Sequence, residues 1–107
     1  MKGERLGEFE ELVLLCVRRL GADAHSVAIQ QALAEHAGRE VMLGAIYAAL
    51  DRAQRKGFAE SWLGEPTSTR GGRAKRHYSV SARGEEVLNE SRRVRDHLWT
   101  TAMDHRS

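Results

Sequence analysis

"FAESWLGEPTSTRGGRAKRHYSV", residues 58 to 80, contains two short alternating runs around a long polar tip. "FAESWL" (58–63) and "RHYSV" (76–80) carry aromatic or β-branched residues, and Pro66, Gly71 and Gly72 interrupt the pattern between them. The spacing predicts a β-hairpin. Its charge is lopsided: from Pro66 to Gly84 there are five arginines or lysines and no carboxylate.

Upstream the period changes to that of a helix. Phe9, Leu12, Val13, Cys16, Val17 and Leu20 form a broad apolar stripe ended by Gly21. Leu14 and Leu15 lie off that stripe, which predicts packing beyond the helix's own domain, with a subunit contact as one candidate. A second helix is expected to run to about Ala37, capped by Asp23 or Ser26, with Val27, Ala28, Ile29, Ala32 and Leu33 as its apolar positions and Gly38 as its stop. From about Leu43 to Lys56 a third helix places Leu43, Ile46, Leu50 and Ala53 in one inward row, and Gly57 can take a left-handed cap. Two short helices joined by a tight turn make a helix-turn-helix.

Downstream, Ser81 is expected to cap a fourth helix that reaches about Asp104, with Glu85 and Glu86 placed against the dipole of its first turn. Val87, Ser91, Val94, Leu98 and Ala102 line one side, flanked by Leu88, Trp99 and Met103. The fold class is therefore mainly α with a small β-hairpin: a winged helix-turn-helix over residues 1–80, followed by a C-terminal dimerisation helix over residues 81–107.

Composition agrees with one small domain that would gain from a partner subunit, since 107 residues bury only a modest fraction of their unfolded surface. No apolar run approaches the ~18 residues of a membrane span. The opening "MKGERLGEFEELVLL" lacks the small-residue cleavage site of a secretory signal, and a single cysteine excludes an internal disulfide, so a cytoplasmic protein is expected. The net charge of +2 averages unlike segments. Residues 1–49 carry five bases and seven acids, residues 50–84 eight and three, and residues 85–107 four and five. The surplus sits on the third helix and the hairpin, the footprint of a polyanion-binding surface.

"LGEFEELVLL" (6–15), "LGAIYAALDRAQRKGF" (43–58) and "LGEPTSTRGGRAKRHYSVSARGEEVL" (63–88) closely resemble the PadR-type transcriptional regulators, in their branch with a short C-terminal arm. The resemblance spans residues 6 to 88. It departs at "AHSVAI", where His25 and Ser26 replace a tyrosine and a glycine common in the family, and at Ala53, where a larger apolar residue is usual. These departures predict looser packing of the second and third helices. The resemblance implies a homodimeric, sequence-specific DNA-binding regulator, expected to repress and to respond to an effector. The alternative from the residues alone is a winged-helix module that binds RNA or a protein partner without reading sequence.

If the third helix reads DNA, its outward arc contains Gly44, Ala45, Ala48, Asp51, Arg52 and Arg55. Small residues at its N-terminal half permit close approach to base edges in the major groove, and Arg52 and Arg55 lie where phosphates flank it. Tyr47, on the flank, is either a half-buried aromatic with a wet hydroxyl or a phosphate donor, and the resemblance favours the second. In the hairpin, Arg70, Arg73, Lys75 and Arg76 supply charge, and Gly71 and Gly72 supply the freedom to follow a curved backbone. The arm is expected to pair two subunits through Val94, Leu98, Trp99 and Ala102. The resemblance adds a second role for Trp99, lining a slot for a planar aromatic effector, beside the simpler one of interface anchor. His25, His36, His77, His97, His105 and Cys16 show no metal-ligand spacing, and no catalytic or nucleotide motif is present, so neither an enzyme nor a cofactor is expected.

Overall fold

The computed structural model describes residues 5–65 and 74–104. Its elements are α1 (Glu8–Leu20), a 3-10 turn (Gly21–Asp23), α2 (Ser26–Ala37), α3 (Leu43–Arg55), β1 (Ala59–Leu63), β2 (Arg76–Val80) and α4 (Ala82–Asp104).

Local chemistry sets the boundaries. In α1 the acids Glu8, Glu10 and Glu11 occupy the first turn and Arg18 and Arg19 the last, matching the helix dipole at both ends. The α2 cap differs from the sequence expectation. Asp23 is taken up in the 3-10 turn and Ser26 is already helical, and the cap is His25, whose Nδ1 accepts the Ala28 N–H at 3.4 Å. Gly38 ends α2 with φ 65°. Gly57, with φ 80°, turns the chain from α3 into β1. The two strands pair antiparallel, from Ala59 opposite Val80 to Leu63 opposite Arg76. The Tyr78 N–H donates to the Ala24 carbonyl at 2.9 Å, which fastens the hairpin to the turn before α2.

Two buried clusters hold these parts together. The larger joins Val13 and Val17 of α1, Ile29 and Leu33 of α2, Ile46 and Leu50 of α3, and Tyr78. The smaller contains Leu14, Ala53, Phe58, Ala59 and Leu88. Leu14 is thus covered by its own chain rather than by another subunit, and only Leu15 remains exposed, at 43%. Ala53 packs in the second cluster and not between α2 and α3, so its small size does not loosen that pair.

α4 is rooted at Phe58. The Ser81 N–H donates to the Phe58 carbonyl at 3.0 Å, and the Ser81 hydroxyl donates to the Gly57 carbonyl and accepts the Gly84 N–H. Gly84 lies so close that a Cβ there would sit 2.1 Å from the Phe58 carbonyl oxygen. Further along, Glu11 of α1 accepts from Ser91 and Arg95. Beyond Arg92 every described residue of α4 is exposed. The helix therefore projects, and the molecule measures 65 × 32 × 21 Å.

Candidate nucleic-acid interface

Packing decides which side of α3 can meet a partner. Ile46, Ala49, Leu50 and Ala53 are buried, and Leu43 is half-buried at the start of the row. Gly44, Ala45, Ala48, Asp51, Arg52 and Arg55 are all exposed. In the first turns of α3 this arc bears nothing larger than a methyl group. Met42, just before the helix, is 79% exposed, an apolar side chain that periodicity did not single out.

The cations further along α3 are not free. Arg55 pairs with Asp51 one turn back, both on the surface. The Arg52 Nε donates to Glu10 Oε2 at 3.0 Å. Glu10 is 3% exposed, the one buried charged residue among those described. It also accepts from Lys56 Nζ at 2.9 Å and from the Gly7 N–H at 3.0 Å. Burial pushes its carboxyl pKa up, but the Gly7 N–H, Lys56 and Arg52 outweigh that and hold it below the ordinary value. The sequence offered one signal for this acid: Glu10 lies three and seven residues before Val13 and Val17, on the buried side of α1.

Two residues on one edge of α3, Tyr47 and Gln54, reach neighbouring elements. Tyr47 is half exposed and its hydroxyl lies 3.0 Å from Ser26 Oγ at the start of α2. Gln54 donates to Ser61 Oγ on β1 at 3.1 Å, and the same oxygen accepts from Arg76 on β2 at 3.0 Å. The chain Gln54, Ser61, Arg76 joins the outer helix to the cationic base of the wing. Lys75 and Arg76 are exposed there. Arg70, Gly71, Gly72 and Arg73 lie outside the described residues.

Behind that base is an aromatic row. Trp62 stacks on His77 with centroids 5.8 Å apart, and His77 meets the His25 ring edge-on at the same separation. Burial, with help from Lys75 and His77, pushes the His25 pKa below its usual value, and Asp23 opposes only in part. His25, a departure from the resembled family, thus links the α2 cap to the wing.

The arm presents a separate surface. Val94, Leu98 and Trp99 are 47%, 59% and 66% exposed, and Ala102 continues the row. Leu88, on the flank of that row, is buried at the root. Val94 and Leu98 line an open groove of about 570 Å³ with Leu6, Val87 and Ser91. Cys16 is buried and its thiol pKa is raised by that burial. Among the described residues no group of side chains could hold a metal ion, and no helix is long and apolar enough to cross a membrane.

Three helices, a two-stranded wing against the third and a long appended helix define a winged helix-turn-helix protein. Residues 13–90 match the family described as the transcriptional regulator PadR-like family. The chain belongs to that family, whose members are transcriptional regulators rather than enzymes. No curated protein matches it by sequence. Solved structures agree in fold. A PadR family transcription regulator from hypervirulent Clostridium difficile is 17% identical, with a TM-score of 0.75 over 92% of this chain and 97% of its own. A PadR-like transcription factor from Bacteroides fragilis is 23% identical, with a TM-score of 0.74 over 90% and 87%. Bacillus subtilis PadR, solved in complex with operator DNA, is 18% identical, with a TM-score of 0.62 over 77% of this chain and 45% of its own.

Proposed function

We propose that two copies of this chain bind a palindromic operator in double-stranded DNA and thereby repress transcription. The observation that carries the reading is the Gln54, Ser61 and Arg76 link, which ties the edge of α3, beside its exposed small-residue arc, to the base of the wing. In this reading Gly44, Ala45 and Ala48 let α3 sit deep in the major groove, and Tyr47, Arg52 and Arg55 face flanking phosphates. Lys75 and Arg76, with Arg70, Gly71, Gly72 and Arg73 of the tip, follow the backbone. The operator complex of Bacillus subtilis PadR supports the same use of the fold.

Pairing occurs through Val94, Leu98, Trp99 and Ala102, an exposed apolar row that a two-fold mate would cover. It sets two half-sites about 34–36 Å apart. Trp99 anchors that interface, and a planar aromatic effector stacking beside it would change the angle between the reading heads. Acting on DNA, the protein works in the cytoplasm.

Selection of bound fragments from random duplex DNA tests the whole reading. A palindromic consensus is expected, with affinity falling steeply as salt rises. Equal retention of all duplexes would replace it with a module that does not read sequence.

A further inference from the structure

We propose that Glu10 is a positioning residue for DNA binding, its buried carboxylate fixing the Arg52 guanidinium by Nε so that the Nη groups are presented to a backbone phosphate. The inference rests on the DNA-binding reading above and adds a residue from α1, outside both the recognition helix and the wing.

The geometry separates the two cations that Glu10 holds. Lys56 is the inner one: its side chain is 26% exposed and its Nζ is shared between Glu10 and the Arg5 carbonyl, at 2.9 and 2.7 Å. Arg52 is the outer one, 47% exposed, on the same arc as Ala45 and Ala48. Its contact with Glu10 runs through Nε alone, and among the described residues the Nη nitrogens make no hydrogen bond. A guanidinium presents five donors in a rigid plane, so fixing Nε orients the remaining four.

Charge points the same way. One carboxylate stands between two cations, which leaves a single positive charge at this corner, on its exposed side. A buried ion pair is a weak source of stability, because an apolar residue of similar volume joins two helices at least as well. Orientation is what such a group supplies that an apolar residue cannot. Glu10 is itself fixed by the Gly7 N–H, so Arg52 is referenced to the backbone at the start of α1 rather than to another mobile side chain.

The test is a mutant cycle on the full chain, using the duplex selected above and following affinity across a salt series. Glu10→Gln keeps the volume and an acceptor for the Gly7 N–H but removes the charge. It is expected to weaken binding about three- to tenfold and to lower the salt slope toward that of Arg52→Ala, which loses about one unit. In the Arg52→Ala background the same change is expected to have less than about a twofold effect. Arg52→Lys, which keeps the charge without the Nε anchor and leaves the buried residue intact, is expected to behave like Glu10→Gln, and it decides the matter if Glu10→Gln fails to fold. Equal losses in both backgrounds would make Glu10 merely structural. Unchanged or tighter binding by Glu10→Gln, or full affinity of Arg52→Lys, would also overturn the proposal while leaving the DNA-binding reading intact. A wild-type chain that selects no duplex removes both.

Discussion

The hydroxyl of Tyr47, on the edge of α3, lies 3.0 Å from the hydroxyl of Ser26, the first residue of α2. The pair ties the two halves of the helix-turn-helix together at the surface, where a phosphate oxygen could take the place of Ser26. Tyr47→Phe and Ser26→Ala should each lower stability by about 1 kcal/mol or less, as expected for an exposed hydrogen bond. DNA affinity should separate them. If the tyrosine hydroxyl passes to phosphate, Tyr47→Phe weakens binding and Ser26→Ala does not; equal losses would mean that the hydroxyl acts only by holding α2.

Gly84 and Gly44 are both helical glycines with opposite expectations. A Cβ at Gly84 would meet the Phe58 carbonyl oxygen at 2.1 Å, whereas one at Gly44 meets nothing within 4 Å. Gly84→Ala should destabilise the chain by more than about 3 kcal/mol, the range of severe packing conflicts, as read from denaturant midpoints. Gly44→Ala should stabilise it by up to about 1 kcal/mol through helix propensity and still weaken DNA binding, because the added methyl projects from the arc that enters the groove.

Acid should loosen the joint between α2 and the wing. The folded His25 pKa lies below the ordinary 6.5, chiefly through burial and then through Lys75 and His77. The unfolded chain therefore binds a proton first as pH falls. Stability is fully present above about pH 6.5, declines as pH drops from there toward the folded value, and then levels off. His25→Asn, which keeps a capping acceptor without a titrating ring, should abolish that step in melting temperatures measured between about pH 8 and 5.

A charge placed on the arm should dissolve the pairing. Leu98 is 59% exposed within the row of Val94, Trp99 and Ala102. Leu98→Glu should leave the winged domain folded by circular dichroism and yield monomers in sedimentation. Persistent dimers would place the interface elsewhere.

Much of this was legible in the residues. Periodicity located all four helices to within a few positions, because each buries one face against a common core. The outward arc of α3 followed from the same rotation. The α2 cap was misassigned because His25 is an uncommon capping residue, outranked by serine and aspartate nearby. What covers Leu14 was not legible for a different reason: it lies off its helix's main stripe, and only the return of α4 across Phe58 brings Leu88 into the cluster that buries it. The links from Glu10 to Arg52 and from Gln54 through Ser61 to Arg76 join residues distant in sequence or on separate elements, and no local pattern announces them.

Beyond Arg95, whose guanidinium still reaches Glu11, the described residues of α4 are all exposed. A free helical stretch of fewer than about 12–15 residues is only marginally ordered in water. The overhang should therefore wind up on meeting a neighbour and fray when molecules are scarce.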